Sequence, residues 1–141
     1  VESRVCSNGQ AYIMEVSPRG GGNRIAELQD MATNQSLIRA EICKALSLPL
    51  EEIFTPEYDG VWCNYILHSS EDGTLESVEI DSQFEQKYIK DKGFIVEKGD
   101  HIVPFTGANT SLGTLFLRAE TREELDRELT EINNNVRIVL S

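Results

Sequence analysis

The spacing of apolar and polar positions divides this chain into two parts. The segments on either side of Asn8-Gly9 alternate as strands do. Asn-Gly between such segments predicts a β-hairpin, because both central residues of a two-residue type I′ turn need positive φ. That turn pairs Ser7 with Gln10, Val5 with Tyr12, Ser3 with Met14 and Glu2 with Glu15. Side chains alternate faces along a strand, so Tyr12, Met14 and Val16 are expected to enter a core. Glu2, Glu15 and Ser17 then share the other face. Helical spacing comes next along the chain. A helix over 24–32 places Ile25, Leu28 and Ala32 on one side, with Asn23 as its N-cap. Asn34 breaks the pattern, and Ser36 caps a second helix to about Leu46, with Ile38, Ile42, Ala45 and Leu46 inward.

Beyond Gly60 the pattern is that of strands. Strands are predicted over 61–68 and 75–80, with a tight bend at Asp72-Gly73 between them. One or two short strands fall within 88–96. Lys98-Gly99-Asp100 is a turn, followed by a strand over 102–105, a loop over 106–111 and a strand over 112–119. Thr121 and Glu124 form a capping box for a final helix. Leu125, Leu129, Ile132 and Val136 line one side of that helix, and 137–140 add a last strand. Pro49 and Pro56 bracket a connecting segment, so a boundary is expected near 55–60. The fold class is therefore α+β: a hairpin with two helices over 1–55, then an antiparallel subdomain with a C-terminal helix over 56–141.

The hairpin raises a chemical question. Like charges directly opposite in a ladder are destabilising. Glu2 and Glu15 can coexist if one takes up a proton, if a cation such as Arg4 neutralises them, or if a metal ion bridges them. The residues just past the strand favour the metal ion. Pro18 ends regular pairing, and Arg19 suits bidentate phosphate contacts. Gly20, Gly21 and Gly22 let the backbone approach a ligand closely. Carboxylates, an arginine, glycines and a helix N-terminus together suit a metal-bound polyphosphate.

The stretch YIMEVSPRGGGNRIAELQDMATNQSLIRAEICKAL resembles the C-terminal part of the ATP-grasp superfamily. That superfamily includes biotin carboxylase, the large subunit of carbamoyl phosphate synthetase and purine-pathway ligases such as phosphoribosylamine-glycine ligase. Its late strand carries Glu-x-Asn-Pro-Arg, whose glutamate and asparagine bind Mg²⁺ on the ATP phosphates. The resemblance implies that Glu15 and the upstream Glu2 are metal carboxylates and that Arg19 contacts the reacting phosphate. Ser17 occupies the asparagine position, and a hydroxyl is a shorter and weaker metal ligand than an amide oxygen. EKGDHIVPF and SLGTLFLRAETREEL resemble the closing subdomain of the biotin-carboxylase branch, a small curved antiparallel sheet packed on the ATP-grasp lobe.

The implied activity is ATP-dependent ligation of a small-molecule carboxylate to an amine through an acyl-phosphate, with ATP and Mg²⁺ (or Mn²⁺) as cofactors. The backbone of Gly20–Gly22, together with Asn23, would face an anionic substrate. The chain starts inside a predicted strand without an initiator methionine, as an excised piece would. Its expected partners are the missing N-terminal lobes of the same polypeptide, and a homodimer is a further option. Alone it is expected to be inactive. Two other classes stay open: a non-catalytic dimerisation or docking module, and a degenerate nucleotide-binding sensor.

Composition narrows the partners. With 24 acidic and 13 basic residues the formal net charge is −11. That argues against nucleic acid and against an anionic membrane surface. A small phosphate site governed by a local arginine and a metal ion is unaffected. No apolar run approaches the roughly 20 residues of a bilayer span. Cys6, Cys43 and Cys63 have no zinc or disulfide spacing, and read as thiols in a reducing cytoplasm. His68, Asp100 and His101 read as surface or turn residues.

Overall fold

The computed structural model describes residues 1–17, 20–50 and 58–141. The expected boundary near 55–60 thus falls largely outside the described residues. The first part is a hairpin, β1 (Glu2–Val5) and β2 (Ala11–Glu15), followed by helices α1 (Ile25–Thr33) and α2 (Leu37–Ala45). Ser36 caps α2 through its hydroxyl, which accepts from the Arg39 N–H at 3.3 Å. Asn34 ends α1 in the left-handed region at φ 53°.

The second part holds β3 (Val61–Leu67), β4 (Gly73–Ile80), α3 (Ser82–Tyr88), β5 (Ile89–Phe94), β6 (His101–Ile102), β7 (Gly113–Ala119), α4 (Arg122–Thr130), α5 (Ile132–Asn135) and β8 (Val136–Leu140). The strands form two antiparallel three-stranded sheets, ordered β3-β7-β5 and β6-β4-β8. The class is α+β, as the pattern predicts.

β7 is the central strand of its sheet and carries the two faces that organise the molecule. Leu115, Leu117 and Ala119 point into the main core with Leu67, Phe84 and Leu125. Phe116, fully buried, lies on the opposite face. The registers place Asn64 and Asp91 beside Phe116, and Gly93 beside Thr114, so these residues share that opposite face. It is the face toward the glycine segment and the start of α1.

Several local expectations are corrected. The 88–96 segment is preceded by α3, which is capped by Asp81 through bonds from the N–H groups of Gln83 and Phe84. The final helix breaks at Glu131, and Val136 opens β8 instead of extending the helical stripe. The strand expected over 102–105 is the two-residue β6. Tyr12, Met14 and Val16 are exposed, as are Ile38, Ile42 and Leu46. Alternation and helical spacing do identify an apolar face, but among the described residues nothing covers these faces. Among the described residues the core is confined to the second part.

Candidate functional site

The hairpin turn differs from the expected one. The N–H of Gly9 donates to the Cys6 carbonyl, and the N–H of Cys6 donates to the Gln10 carbonyl, both at 2.9 Å. The loop therefore has three residues, with Gly9 left-handed at φ 76°. This slips the register by one, pairing Val5 with Ala11, Arg4 with Tyr12 and Ser3 with Ile13. A bulge next to Ser3 then shifts it back, so Glu2 stands opposite Glu15. The two irregularities cancel. The carboxylates share one face of the ribbon end, and both are exposed.

Ser17 lies just past β2 and is exposed. Pro18 and Arg19 lie outside the described residues, so the predicted arginine contact does too. Gly20, Gly21 and Gly22 are exposed, and a Cβ at Gly20 or Gly22 would meet nothing within 4 Å. Asn23 is not the N-cap of α1. Asn23 and Arg24 are successive left-handed residues, at φ 53° and 60°, and Arg24 holds the cap position without a side-chain cap bond. A left-handed non-glycine residue costs on the order of 1 kcal/mol and persists where its surroundings fix it.

Two contacts fix this pair. The Asn64 amide donates to the Asn23 carbonyl at 2.6 Å. Arg24 reaches onto the sheet face that carries Phe116. Its guanidinium donates to Glu27 Oε2 at 2.9 Å from Nε, and from Nη2 to Glu27 and Asp91. It also donates to Thr114 Oγ1 at 3.4 Å and lies 4.6 Å from the centre of the Phe116 ring. Bonds to the Glu27 and Asp91 carboxylates raise the Arg24 pKa further above its usual value. Gly93 makes room: a Cβ there would stand 2.7 Å from Arg24 Nη1. The Asn64 Oδ1 is buried and without a partner among the described residues.

Sequence reasoning missed this cluster. Arg24 reads as an ordinary first helical residue, and its partners on the sheet, Asp91, Thr114 and Phe116, lie far downstream. The one available signal was the polar Asn64 and small Gly93 inside otherwise apolar strand segments.

A second polar cluster joins α3 to α4. The buried Tyr88 hydroxyl donates to Glu124 Oε1 at 2.9 Å, and Lys87 Nζ donates to the same oxygen at 3.0 Å. These bonds, with one from the Glu120 N–H, depress the Glu124 carboxyl to about 2. Bonds to Tyr88 and Glu124 raise Lys87 to about 12. These bonds link α3 to α4. Asp100 accepts from the Glu97 N–H at 2.8 Å, as a turn residue does, and His68 packs on the Phe105 ring. The three cysteines are free thiols.

Mg²⁺ is usually held by one or two carboxylates plus substrate phosphates, not by an all-protein cage. Glu2 and Glu15 fit that chemistry as an exposed pair. Among the described residues there is no group of three or more His, Cys, Asp or Glu placed to hold a metal ion. No helix of the described residues is long and apolar enough to cross a membrane.

No family model and no curated protein matches the sequence. Solved structures do match. L-amino acid ligase from Bacillus licheniformis superposes over 99% of this chain with a TM-score of 0.76 and 20% identity. Phosphoribosylglycinamide synthetase from Anaerococcus prevotii superposes over 96% with a TM-score of 0.72 and 20% identity. The biotin carboxylase domain of Hydrogenobacter thermophilus 2-oxoglutarate carboxylase, solved with MgADP, ADP and bicarbonate, superposes over 98% with a TM-score of 0.68 and 15% identity. This chain spans 35% of the length of each of the first two and 31% of the third. The chain therefore has the fold of the C-terminal portion of an ATP-grasp ligase.

Proposed function

We propose that the chain is part of a longer ATP-dependent, Mg²⁺-requiring carboxylate–amine ligase and carries half of its phosphate site. The observation that carries this reading is the Glu2–Glu15 pair, restored by two compensating irregularities on a fold shared with ATP-grasp ligases. When bound, Mg-ATP supplies the phosphoryl group that activates a carboxylate, as an acyl-phosphate, toward an amine.

The chain's own residues position and stabilise charge. Glu2 and Glu15 hold the divalent cation, Mg²⁺ or Mn²⁺, with Ser17 beside them as a neutral oxygen donor. Arg19 stabilises the transferring phosphoryl group. Gly20, Gly21 and Gly22 present backbone N–H groups to an anionic substrate, with Asn23 and Arg24 turning the chain into α1. Residues 1–55 form the end of the ATP-grasp lobe and 56–141 the closing subdomain. The rest of the site belongs to N-terminal lobes, which the exposed apolar faces of the hairpin and α2 would contact. We place the protein in the cytoplasm.

The test is ADP release by the complete polypeptide over a panel of small carboxylates and amines. Mg²⁺-dependent release that needs both substrates supports the ligase. Binding of Mg-ATP without release under any pair would make the protein a nucleotide sensor. Absence of Mg-ATP binding would leave a docking module.

A further inference from the structure

The glycine segment ends in two strained residues, and the structure fixes both to the second part of the chain. Asn64 on β3 holds the Asn23 carbonyl. Arg24 is seated on the β5–β7 face by Asp91, Thr114 and the Phe116 ring, with Glu27 closing the seat from α1. Phe116 is fully buried, so the platform under the guanidinium is rigid. The seat is matched to arginine. A planar fork can bond two carboxylates and stack on a ring at once, whereas an ammonium is a point charge. The space it needs exists because position 93 has no side chain.

A surface ion pair would not need this construction. An arginine in the first turn of a solvated helix bonds well enough to Glu27 alone, three residues away. Here the same guanidinium also crosses to a sheet face whose polar and aromatic residues are aligned by register. Strain of this kind persists where the surroundings over-determine the backbone.

We infer that Arg24 is a positioning residue: seated on Asp91, Thr114 and Phe116, it fixes the glycine segment relative to the antiparallel subdomain. The subdomain then sets where the segment's N–H groups stand toward an anionic substrate. This second step rests on the ligase reading; the seat itself does not.

The test uses the complete polypeptide with Arg24→Lys, which keeps the charge, and Asp91→Asn, which keeps the shape. Amide exchange is read at Ile25 and Leu28, whose N–H groups bond the carbonyls of Gly22 and Arg24. Both variants should speed that exchange by about tenfold while amides in β7 keep their protection. In the ADP-release assay, kcat should fall by roughly 10- to 100-fold with KM for Mg-ATP within about threefold of wild type. Unchanged exchange at Ile25 and Leu28 overturns the inference whatever the activity. Faster exchange with an unchanged kcat overturns the positioning role. If the wild type releases no ADP, the ligase reading fails, and exchange alone decides the seat.

Discussion

The side-chain amide of Asn64 donates to the backbone carbonyl of Asn23 at 2.6 Å, tying the central face of the sheet to the end of the glycine segment. Its other polar atom, Oδ1, is buried without a partner among the described residues. The Asn23 carbonyl loses its donor in either variant, so the difference lies in whether a charge is left facing it. Asn64→Asp sets a carboxylate against the Asn23 carbonyl and should destabilise the fold by about 2–3 kcal/mol. Asn64→Leu gives up the bond but also the unpartnered oxygen, and should cost less. Urea denaturation of the two variants checks the order.

The contact between Lys87, Tyr88 and Glu124 gives a pH dependence. The Glu124 carboxyl is held at about 2, well below its usual range, chiefly by Lys87 and then by Tyr88. A carboxyl depressed in the folded state adds stability that is present above its unfolded pKa, near 4.5. That stability is lost as pH falls through its folded value. Thermal unfolding followed from pH 7 to pH 2 should therefore show a loss concentrated below about pH 4.5. In Glu124→Gln the fold should be weaker at pH 7 and the acid loss smaller. Tyr88→Phe, which removes one buried donor, should cost about 1 kcal/mol at neutral pH.

Gly113 opens β7 opposite Phe94 of β5. A Cβ there would stand 2.3 Å from the Gly93 carbonyl oxygen, a backbone atom that cannot swing aside. Gly113→Ala must push the strands apart at the edge of the Arg24 seat. The expected cost is about 3 kcal/mol. Gly99→Ala is the comparison within a turn, since a Cβ there would meet nothing within 4 Å. That variant feels only the backbone strain of φ 98° and should be milder. Denaturant midpoints distinguish the two.

Much of this architecture is written locally. Asn8-Gly9, the Ser36 and Thr121 caps, the Lys98-Gly99-Asp100 turn and the β3, β4 and β7 patterns each arise from neighbouring residues. The misses have physical causes. Asn-Gly serves both a two-residue type I′ loop and a three-residue loop with a left-handed glycine, so the turn was legible and its register was not. Phe84 and Tyr88 behind the Asp81 cap are the signal for α3, but the run is too short to show a full helical stripe. An apolar face is legible in sequence, whereas what covers it is not. This is why Met14 and Ile42 read as core and stand exposed. The Glu2–Glu15 pair was legible as a pair. The seat of Arg24 was not, because its shape depends on strand register across the whole second half.

The exposed face of α2 gives its own expectation. Ile42 is 53% exposed here. Ile42→Glu should change the stability of this chain by less than about 0.5 kcal/mol. In the complete polypeptide, where N-terminal lobes are proposed to cover α2, the same change should cost about 1–3 kcal/mol. Equal effects in the two would place the lobes elsewhere.

Calorimetric titration of Mg-ATP into the complete polypeptide and its Glu15→Gln variant, paired with ADP release, bears on the proposed Glu2–Glu15 metal site without intermediaries. Wild type should bind Mg-ATP and release ADP when carboxylate and amine are present. Glu15→Gln should keep the same thermal unfolding midpoint yet lose Mg²⁺-dependent turnover by roughly 100-fold or more. Wild-type turnover in Glu15→Gln, with the fold intact, would contradict it.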